Sequence, residues 1–155
     1  MEFKKKFIDI KKDFDFNEMT KLINEKQFTS NFASSKPVQK DYVLDDSFKI
    51  NQVQNEKDFR EIFFYLNSLY NKNNHASNLC IFFSLMSGSN GSKHSDREDV
   101  ALIGLYGKTL YIINDNHYIL EKGDLLFIDR GIEHKAVSLE PRIVLSYGVF
   151  PNGDC

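Results

Sequence analysis

The spacing of apolar residues divides the chain into two parts. Between residues 15 and 70 apolar positions recur every three or four residues, as on one face of an α-helix. From Leu79 onward, short apolar runs alternate with turns rich in Gly, Asn and Asp, as expected for consecutive antiparallel strands. The pattern predicts a helical and extended part over residues 1–78 and a β core over residues 79–150.

Two helices are predicted in the first part. Asp15, with Glu18 three residues later, forms an N-cap pattern that begins the first helix, and Asn55 begins the second. Their apolar stripes consist of Phe16, Met19, Leu22 and Ile23 in the first and of Phe59, Ile62, Phe63, Leu66, Leu69 and Tyr70 in the second. Stripes of this kind predict packing against a sheet rather than a cofactor site. Short extended pieces are predicted at 37–38 and 42–44.

The second part predicts a series of short strands, at about 79–86, 99–106, 108–113, 117–120, 125–128, 134–138 and 142–149. Turns are predicted at 114–116, 121–124 and 129–131, with Gly131 at positive φ. Strands at this spacing favour a closed barrel or a jelly roll. The expected fold class is mainly β, as one domain over residues 1–155 with the N-terminal helices packed outside.

Composition narrows the possible partners and the compartment. The chain has 155 residues and a net charge of -2, without the basic field that nucleic-acid binding requires. No apolar stretch approaches the ~20 residues of a membrane span, and no signal peptide is visible. Cys80 lies in an apolar run and is expected to be a buried thiol, and Cys155 has no nearby cysteine partner. A cytoplasmic location follows as the expectation.

His94 and Asp96 are the strongest candidates for chemistry. Two residues apart on a strand, they share one face, because strand side chains alternate. With a distant His134 they would complete a set of two histidines and one carboxylate, which holds non-haem Fe(II) with open positions. Glu98 or Asp99 are alternatives to Asp96 as the carboxylate. His75 and His117 are expected at the surface.

Two segments around these residues resemble cupin motifs. The segment GDLLFIDRGIEH (123–134) is similar to the second cupin motif, in which a Gly-Asp turn starts a strand and a Gly turn delivers a metal-binding His. The segment HSD (94–96), followed by VALI (100–103) and GK (107–108), resembles the first motif of JmjC-like Fe(II)/2-oxoglutarate-dependent oxygenases. The resemblance covers about residues 79–150 and implies a double-stranded β-helix, the cupin or jelly-roll barrel.

The resemblance also implies an activity and its cofactors. His94, Asp96 and His134 would be the catalytic residues and would bind Fe(II), with Mn(II) or Ni(II) as alternatives. 2-Oxoglutarate would be the co-substrate of a hydroxylation that acts on a protein side chain or a small molecule. A metal-binding cupin without 2-oxoglutarate chemistry and a non-catalytic ligand-binding cupin remain open alternatives, as does a homodimer.

The residue that would bind 2-oxoglutarate departs from the family pattern. The family often supplies a Lys two positions after the hairpin Gly, whereas Lys108 follows Gly107 directly. A shift of one residue reverses the direction of a strand side chain, so Lys108 is expected to point outward unless a bulge intervenes. The other candidates are Tyr106, Thr109, Tyr111 and Arg142. Arg suits a carboxylate best because its planar fork can donate two parallel hydrogen bonds.

The loop over residues 87–92, which is rich in Gly and Ser, precedes His94. Its small residues are consistent with the rim of a pocket entrance and equally with a plain connector.

Overall fold

The computed structural model describes residues 1–10, 14–25, 28–30, 47–88 and 92–151. Within these residues the chain forms two helices, one short 3-10 helix and two antiparallel sheets. The helices are α1 (Phe16–Glu25) and α2 (Lys57–Tyr70), with the 3-10 helix at Val53–Asn55. The strands are β1 (Glu2–Lys4), β2 (Phe28–Ser30), β3 (Ser47–Ile50), β4 (Ala76–Ser84), β5 (Asp99–Tyr106), β6 (Thr109–Ile113), β7 (Asn116–Leu120), β8 (Leu125–Ile128), β9 (His134–Ser138) and β10 (Arg142–Phe150).

The strands form a larger and a smaller sheet. The larger sheet has the order β1-β8-β5-β10-β4-β3-β2, and the smaller one has the order β7-β6-β9. β10 lies near the middle of the larger sheet, paired with β4 on one side and β5 on the other. This arrangement of antiparallel strands is a jelly roll, which confirms the predicted fold class.

The larger sheet buries a different core on each face. On its outer face α1 and α2 contribute buried side chains such as Met19, Phe59 and Leu66, which pack against sheet residues such as Ile81 and Leu145. A second cluster lies between the two sheets and consists of Val100, Leu102, Tyr111, Ile113, Leu120, Leu126, Ile128 and Val144. Because strand side chains alternate, one set of strands supplies both cores. The helices therefore lie outside the β unit, as predicted.

The first helix begins as predicted, and the second does not. The carboxylate of Asp15 accepts hydrogen bonds from the backbone N–H groups of Asn17 at 2.9 Å and Glu18 at 3.1 Å, so it caps α1. The prediction that Asn55 caps α2 is wrong. Asn55 ends the 3-10 helix instead, and Glu56 occupies the N-cap position without a side-chain capping bond. No described helix is long and apolar enough to cross a membrane.

The predicted strands and turns of the β core are confirmed. Each observed strand from β4 to β10 begins and ends within three residues of its predicted bounds. Asn114 and Asp115 have positive φ, as a tight hairpin between β6 and β7 requires, and Gly123 and Gly131 mark the other two turns. The extended pieces predicted at 37–38 and 42–44 lie outside the described residues.

Candidate metal centre and its cavity

The two histidines are brought together by main-chain pairing. His94 and His134 form an antiparallel bridge in which each backbone N–H donates to the other residue's carbonyl, at 3.0 and 2.8 Å. This double hydrogen bond places the two side chains on the same side of the pair. Their ring centroids are 4.5 Å apart. The pairing joins the segment before β5 to the start of β9, and it explains how residues forty positions apart in the sequence meet.

Further backbone contacts position Asp96. The N–H of Gly131, in the turn before β9, donates to the carbonyl of Asp96 at 2.9 Å. The N–H of the neighbouring Arg130 donates to the carboxylate of Asp99 at 2.8 Å. The Asp96 carboxylate then lies 3.6 Å from Nε2 of His94 and 3.5 Å from Nε2 of His134. One potential ligand atom from each of the three residues lies within 4.8 Å of the others.

The hydrogen bonds of the imidazoles leave one nitrogen of each ring facing the centre. Nδ1 of His94 is 2.8 Å from the carbonyl of Ser92, and Nδ1 of His134 is 3.1 Å from the carbonyl of Ile132. A carbonyl can only accept, so each Nδ1 is the donor, and a ring that carries one proton keeps its lone pair on Nε2. Fixing the tautomer through the other ring nitrogen is how proteins orient histidine ligands for a metal.

The three side chains differ in their exposure to solvent. His134 is buried, with 6% of its side chain exposed, whereas 27% of Asp96 and 48% of His94 is exposed. The cluster therefore lies at a cavity opening, with His134 on the inner side. Water-exposed histidine and carboxylate groups can exchange an ion with solvent without unfolding of the chain.

The alternative carboxylates do not join this cluster. Asp99 begins β5 and its carboxylate accepts the hydrogen bond from Arg130. Glu98 lines the same cavity as Asp96 but is not among the converging ligand atoms. Asp96 is therefore the carboxylate that the structure brings to the two histidines. His117 is exposed, as predicted, while His75 is half-buried, and neither lines the cavity.

A cavity of about 520 Å³ extends from this cluster between the two sheets. A volume of this size is typical of small-molecule sites. Its wall follows the inner face of the larger sheet, with Asn78, Cys80 and Phe82 from β4 and Arg142, Ser146 and Gly148 from β10 among the lining residues. Ser92, from the end of the Gly- and Ser-rich loop, lines it too, while residues 89–91 of that loop lie outside the described part of the chain.

Arg142 lies in the cavity wall and is almost fully buried, with 3% of its surface exposed. Among the described residues, its guanidinium donates to hydroxyl groups only. The bonds run from Nε to Ser138 at 2.7 Å and Ser84 at 3.4 Å, from Nη1 to Thr109 at 3.3 Å and from Nη2 to Ser47 at 3.3 Å. No carboxylate in the described ranges pairs with it. A buried cation with neutral partners has affinity for an anion.

Tyr111 is the second polar group near this cation. Burial raises the pKa of its hydroxyl, while the charge of Arg142 and a hydrogen bond from it act in the opposite direction. The hydroxyl is therefore a neutral group beside the guanidinium at neutral pH. Both residues line the cavity, so a carboxylate bound to Arg142 would also be within the neighbourhood of the Tyr111 hydroxyl.

Three of the predicted co-substrate residues have other positions. Lys108 points outward, as its parity predicted, and its ammonium lies 3.3 Å from the Glu121 carboxylate. The register irregularity between β5 and β10 falls at Ile143 and Val144 and does not turn Lys108 inward. Tyr106 is exposed and its ring contacts Phe16 outside the cavity. Thr109 is buried and supports Arg142 through its hydroxyl.

Sequence reasoning missed several residues of the cavity. Lys49 of β3 and Asn78 of β4 line it, as do the hydroxyls around Arg142. The alternation along β4 places Asn78, Cys80 and Phe82 on one face. This alternation is the sequence feature that could have indicated them as residues of the cavity. Cys80 is buried as predicted, and burial raises the pKa of its thiol.

The comparisons with known proteins support the fold. No family model matches the sequence, and the comparison with curated proteins found no relative. Among solved structures, the chain is similar to YcfD, a ribosomal oxygenase from Escherichia coli in complex with cobalt and 2-oxoglutarate. The TM-score is 0.68 at 21% identity, with 95% of this chain and 47% of that chain covered. The chain thus spans about half the length of that protein.

Two smaller structures are also similar. The SPY1581 protein of unknown function from Streptococcus pyogenes matches at a TM-score of 0.52 and 17% identity, over 79% of this chain and 93% of that one. An RmlC-like cupin from Shewanella frigidimarina matches at a TM-score of 0.46 and 19% identity, over 51% and 70% of the two chains. The chain therefore shares the fold of the YcfD structure over 95% of its length.

Proposed function

We propose that the protein is an Fe(II)- and 2-oxoglutarate-dependent oxygenase, which hydroxylates a small molecule or a protein side chain. One observation carries this proposal. A histidine, carboxylate and histidine cluster with both Nε2 atoms facing inward shares a cavity with a buried arginine that has no carboxylate partner among the described residues. The similarity to a ribosomal oxygenase whose structure holds cobalt and 2-oxoglutarate supports it.

The cluster fits a divalent transition metal. Two neutral imidazole nitrogens and one carboxylate oxygen suit Fe(II), and equally Mn(II) or Ni(II). The Asp96 carboxylate lies 3.6 and 3.5 Å from the two Nε2 atoms, separations that two metal–ligand bonds of about 2.0–2.2 Å can span. The carbonyls of Ser92 and Ile132 hold the rings in the tautomer that a metal needs. His94, Asp96 and His134 would therefore hold the ion.

Arg142 fits the distal carboxylate of 2-oxoglutarate. With the bond to Tyr111, its hydroxyl partners account for at most four of the five N–H groups that a guanidinium carries, so at least one N–H remains for a carboxylate. On β9, His134 of the candidate ligand set and the Arg142 partner Ser138 are four residues apart, or about 13 Å along the strand. His134 and Arg142 both line the cavity, so an elongated dicarboxylate between them would lie along this strand.

The roles of the protein groups follow from this placement. Fe(II) with 2-oxoglutarate and dioxygen supplies the oxidising chemistry when bound. Arg142 and the Tyr111 hydroxyl orient the co-substrate from the buried end, and the apolar walls formed by Val100 and Leu102 exclude water from it. His94, on the exposed side, leaves the cavity open toward solvent for the substrate.

Anaerobic titration of the protein with Fe(II) and 2-oxoglutarate tests the proposal. The expected result is a weak visible charge-transfer band that appears only when both are present, followed by succinate formation in air. Tight binding of one metal ion without affinity for 2-oxoglutarate would instead favour a metal-binding cupin with other chemistry. Absence of metal binding would overturn the proposal and favour a non-catalytic ligand-binding cupin.

A further inference from the structure

The cavity contains one more pair of charged groups than the proposed cofactors need. Its charged lining residues are Lys49, Asp96, Glu98 and Arg142, beside the two histidines. A divalent metal with Asp96 and a dianionic 2-oxoglutarate with Arg142 would together be neutral. Lys49 and Glu98 remain, and no ion pair between either of them and another described residue is present. Charges inside a cavity favour a ligand of opposite charge.

Lys49 lies on one side of the part of the cavity that the proposed metal and 2-oxoglutarate do not use. It belongs to β3 and is paired with Phe82 of β4. Its ammonium is 5.4 Å from the centroid of the Phe82 ring, and both residues line the cavity. The aromatic face stabilises the cation and holds it against the wall. A bound anionic group can therefore meet a positioned ammonium here.

Glu98 lies toward the other end of the same wall. Its side chain passes over Gly148 of β10, since a Cβ atom at Gly148 would be 3.5 Å from Cγ of Glu98 and 3.3 Å from Oδ1 of Asn78. The glycine thus leaves room for two oxygen-bearing side chains that face the cavity. A carboxylate and an amide oxygen side by side suit an ammonium or another N–H cation.

The register of β4 sets the separation between these two positions. Phe82, beside Lys49, and Asn78, beside Gly148, are four residues apart on β4, or about 13 Å along the strand. Between them lie Cys80 and Ser146, with the Cys80 thiol 3.5 Å from the Ser146 carbonyl. Cys80 lies between Asn78 and Phe82 on the same face of β4, so its thiol lies between the two charged positions.

On the basis of the proposed function, we propose that the cavity binds a small zwitterionic substrate, with its anionic group at Lys49 and its cationic group at Glu98 and Asn78. Because the two positions are well separated, the substrate's charges must lie at opposite ends of the molecule. The adjacent charges of a simple α-amino acid would not reach both sites. The middle of such a substrate would lie over Cys80 and Ser146, on the wall that leads from the metal centre.

Calorimetric titration of the Co(II)-loaded protein, with and without 2-oxoglutarate, tests this inference in the absence of turnover. The probes are ω-aminooctanoate and ω-aminohexanoate, compared with octanoate, octylamine and alanine. We expect the ω-amino acids to bind, and each analogue with a single charge to bind about tenfold more weakly, as the loss of one charge-assisted contact predicts. Equal affinity for the zwitterion and octanoate would overturn the inference.

Two variants assign the charges to the residues. Lys49→Met should lower the affinity for the ω-amino acid to that for octylamine, and Glu98→Gln should lower it to that for octanoate. Lys72→Met and Glu140→Gln, which remove exposed charges outside the cavity, serve as matched controls and should change neither. Affinities for Co(II) and 2-oxoglutarate should stay the same in all four variants, which also shows that each has folded.

The failure of this inference is distinguishable from the failure of the proposed function. If Lys49→Met weakens 2-oxoglutarate instead of the zwitterion, Lys49 serves the co-substrate and the substrate assignment is wrong. If the wild-type protein does not bind 2-oxoglutarate, the proposed function fails, whatever the zwitterion does. Retained 2-oxoglutarate binding with no preference for zwitterions overturns the substrate class alone.

Discussion

The candidate metal centre (His94, Asp96 and His134) and the Arg142 cluster hold their polar groups in opposite ways. At the metal centre, 48% of His94 and 27% of Asp96 is exposed, and main-chain hydrogen bonds place these residues. In the other cluster, Arg142 is 3% exposed and is held by side-chain hydroxyls from β4, β6 and β9 and from Ser47 of β3. The first is a site that backbone pairing forms, and the second exists only once both sheets have packed.

Because of this difference, mutations in the two clusters should change ligand affinity and protein stability in different ways. Exposed ligands of a metal lose little hydration in the folded chain, so their removal should change binding and leave stability unchanged. A buried guanidinium loses its hydration when the protein folds, and neutral hydroxyls replace only part of it. An anion that binds to the guanidinium compensates for the part of the lost hydration that the hydroxyls do not replace. The exposed ligands His94 and Asp96 should therefore respond to mutation in affinity alone, and Arg142 in affinity and stability with opposite signs.

Asp96→Ala should have the largest effect. It removes the only charged member of the ligand set, and we expect Co(II) affinity to fall by more than about 100-fold, beyond the range measured when groups that merely support a ligand are removed. The thermal unfolding midpoint of the metal-free protein should be unchanged. Calorimetry and thermal melts measure the two quantities. Asp115→Asn, in the exposed hairpin, is the matched control, and retention of Co(II) affinity by Asp96→Ala would refute the assigned ligand set.

Arg142→Met should weaken 2-oxoglutarate by about 10- to 100-fold in the Co(II)-loaded protein, because charge-assisted hydrogen bonds are lost. Its free energy of unfolding without ligands should stay within about 1 kcal/mol of the wild type or rise, since replacing a buried charge with an apolar side chain is often neutral or stabilising. Arg142→Lys should restore little affinity, because an ammonium lacks the planar fork.

Calorimetry with 2-oxoglutarate and chemical denaturation together decide this prediction. A large destabilisation of Arg142→Met without ligand would mean that the arginine mainly joins the two sheets through its hydroxyl partners. Unchanged 2-oxoglutarate affinity would mean that another group binds the distal carboxylate. Either result would remove the contrast between the two ends of the cavity.

The same contrast explains what the sequence could predict. The ligand cluster follows in part from local patterns, the His-x-Asp spacing and the glycine turn at Gly131 before His134. The expectation that His94 and Asp96 lie on a strand is wrong, because β5 begins only at Asp99 and His94 forms an isolated bridge in the segment before it. The strands of the β core follow from alternating apolar runs between turn residues. The parity of Lys108 also predicted its outward direction correctly.

The Arg142 cluster could not be predicted in this way. Ser47, Ser84, Thr109 and Ser138 are ordinary hydroxyl residues, and only the registers of several strand pairs bring them to one guanidinium. The strands β1, β2 and β3 were missed because each has only three or four residues, too few to show alternation. Lys49 was missed for the same reason, since it lies on β3.

Asp124 provides a structural carboxylate for comparison with Asp96. Burial raises its pKa, but hydrogen bonds from the Lys5 ammonium and from the backbone N–H groups of Lys6 and Glu121 outweigh burial and hold the pKa below its usual value. A lowered pKa in the folded state stabilises the protein above the unfolded-state value of about 3.9, and this contribution is lost as pH falls through the folded-state value.

Asp124→Asn should therefore destabilise the protein by about 1–3 kcal/mol at neutral pH, as expected when hydrogen bonds to a buried charged group are lost. The difference in unfolding free energy from the wild type should shrink at pH values below about 4, where the wild-type carboxylate also becomes protonated. Co(II) affinity should not change. Urea denaturation at several pH values measures the effect, and a difference that is independent of pH would contradict the ionic role of Asp124.

Lys108→Met should have the smallest effect, and it distinguishes Lys108 from Arg142 as the co-substrate cation. The Lys108 ammonium is exposed and 3.3 Å from the Glu121 carboxylate, a kind of pair that contributes at most about 1 kcal/mol to stability. Because Lys108 does not line the cavity, 2-oxoglutarate affinity should change by less than about twofold, far below the effect of Arg142→Met. Calorimetry measures the 2-oxoglutarate affinity of the two variants, each loaded with Co(II), under one condition. A loss with Lys108→Met comparable to that with Arg142→Met would mean that the Lys108 side chain turns inward when the co-substrate binds.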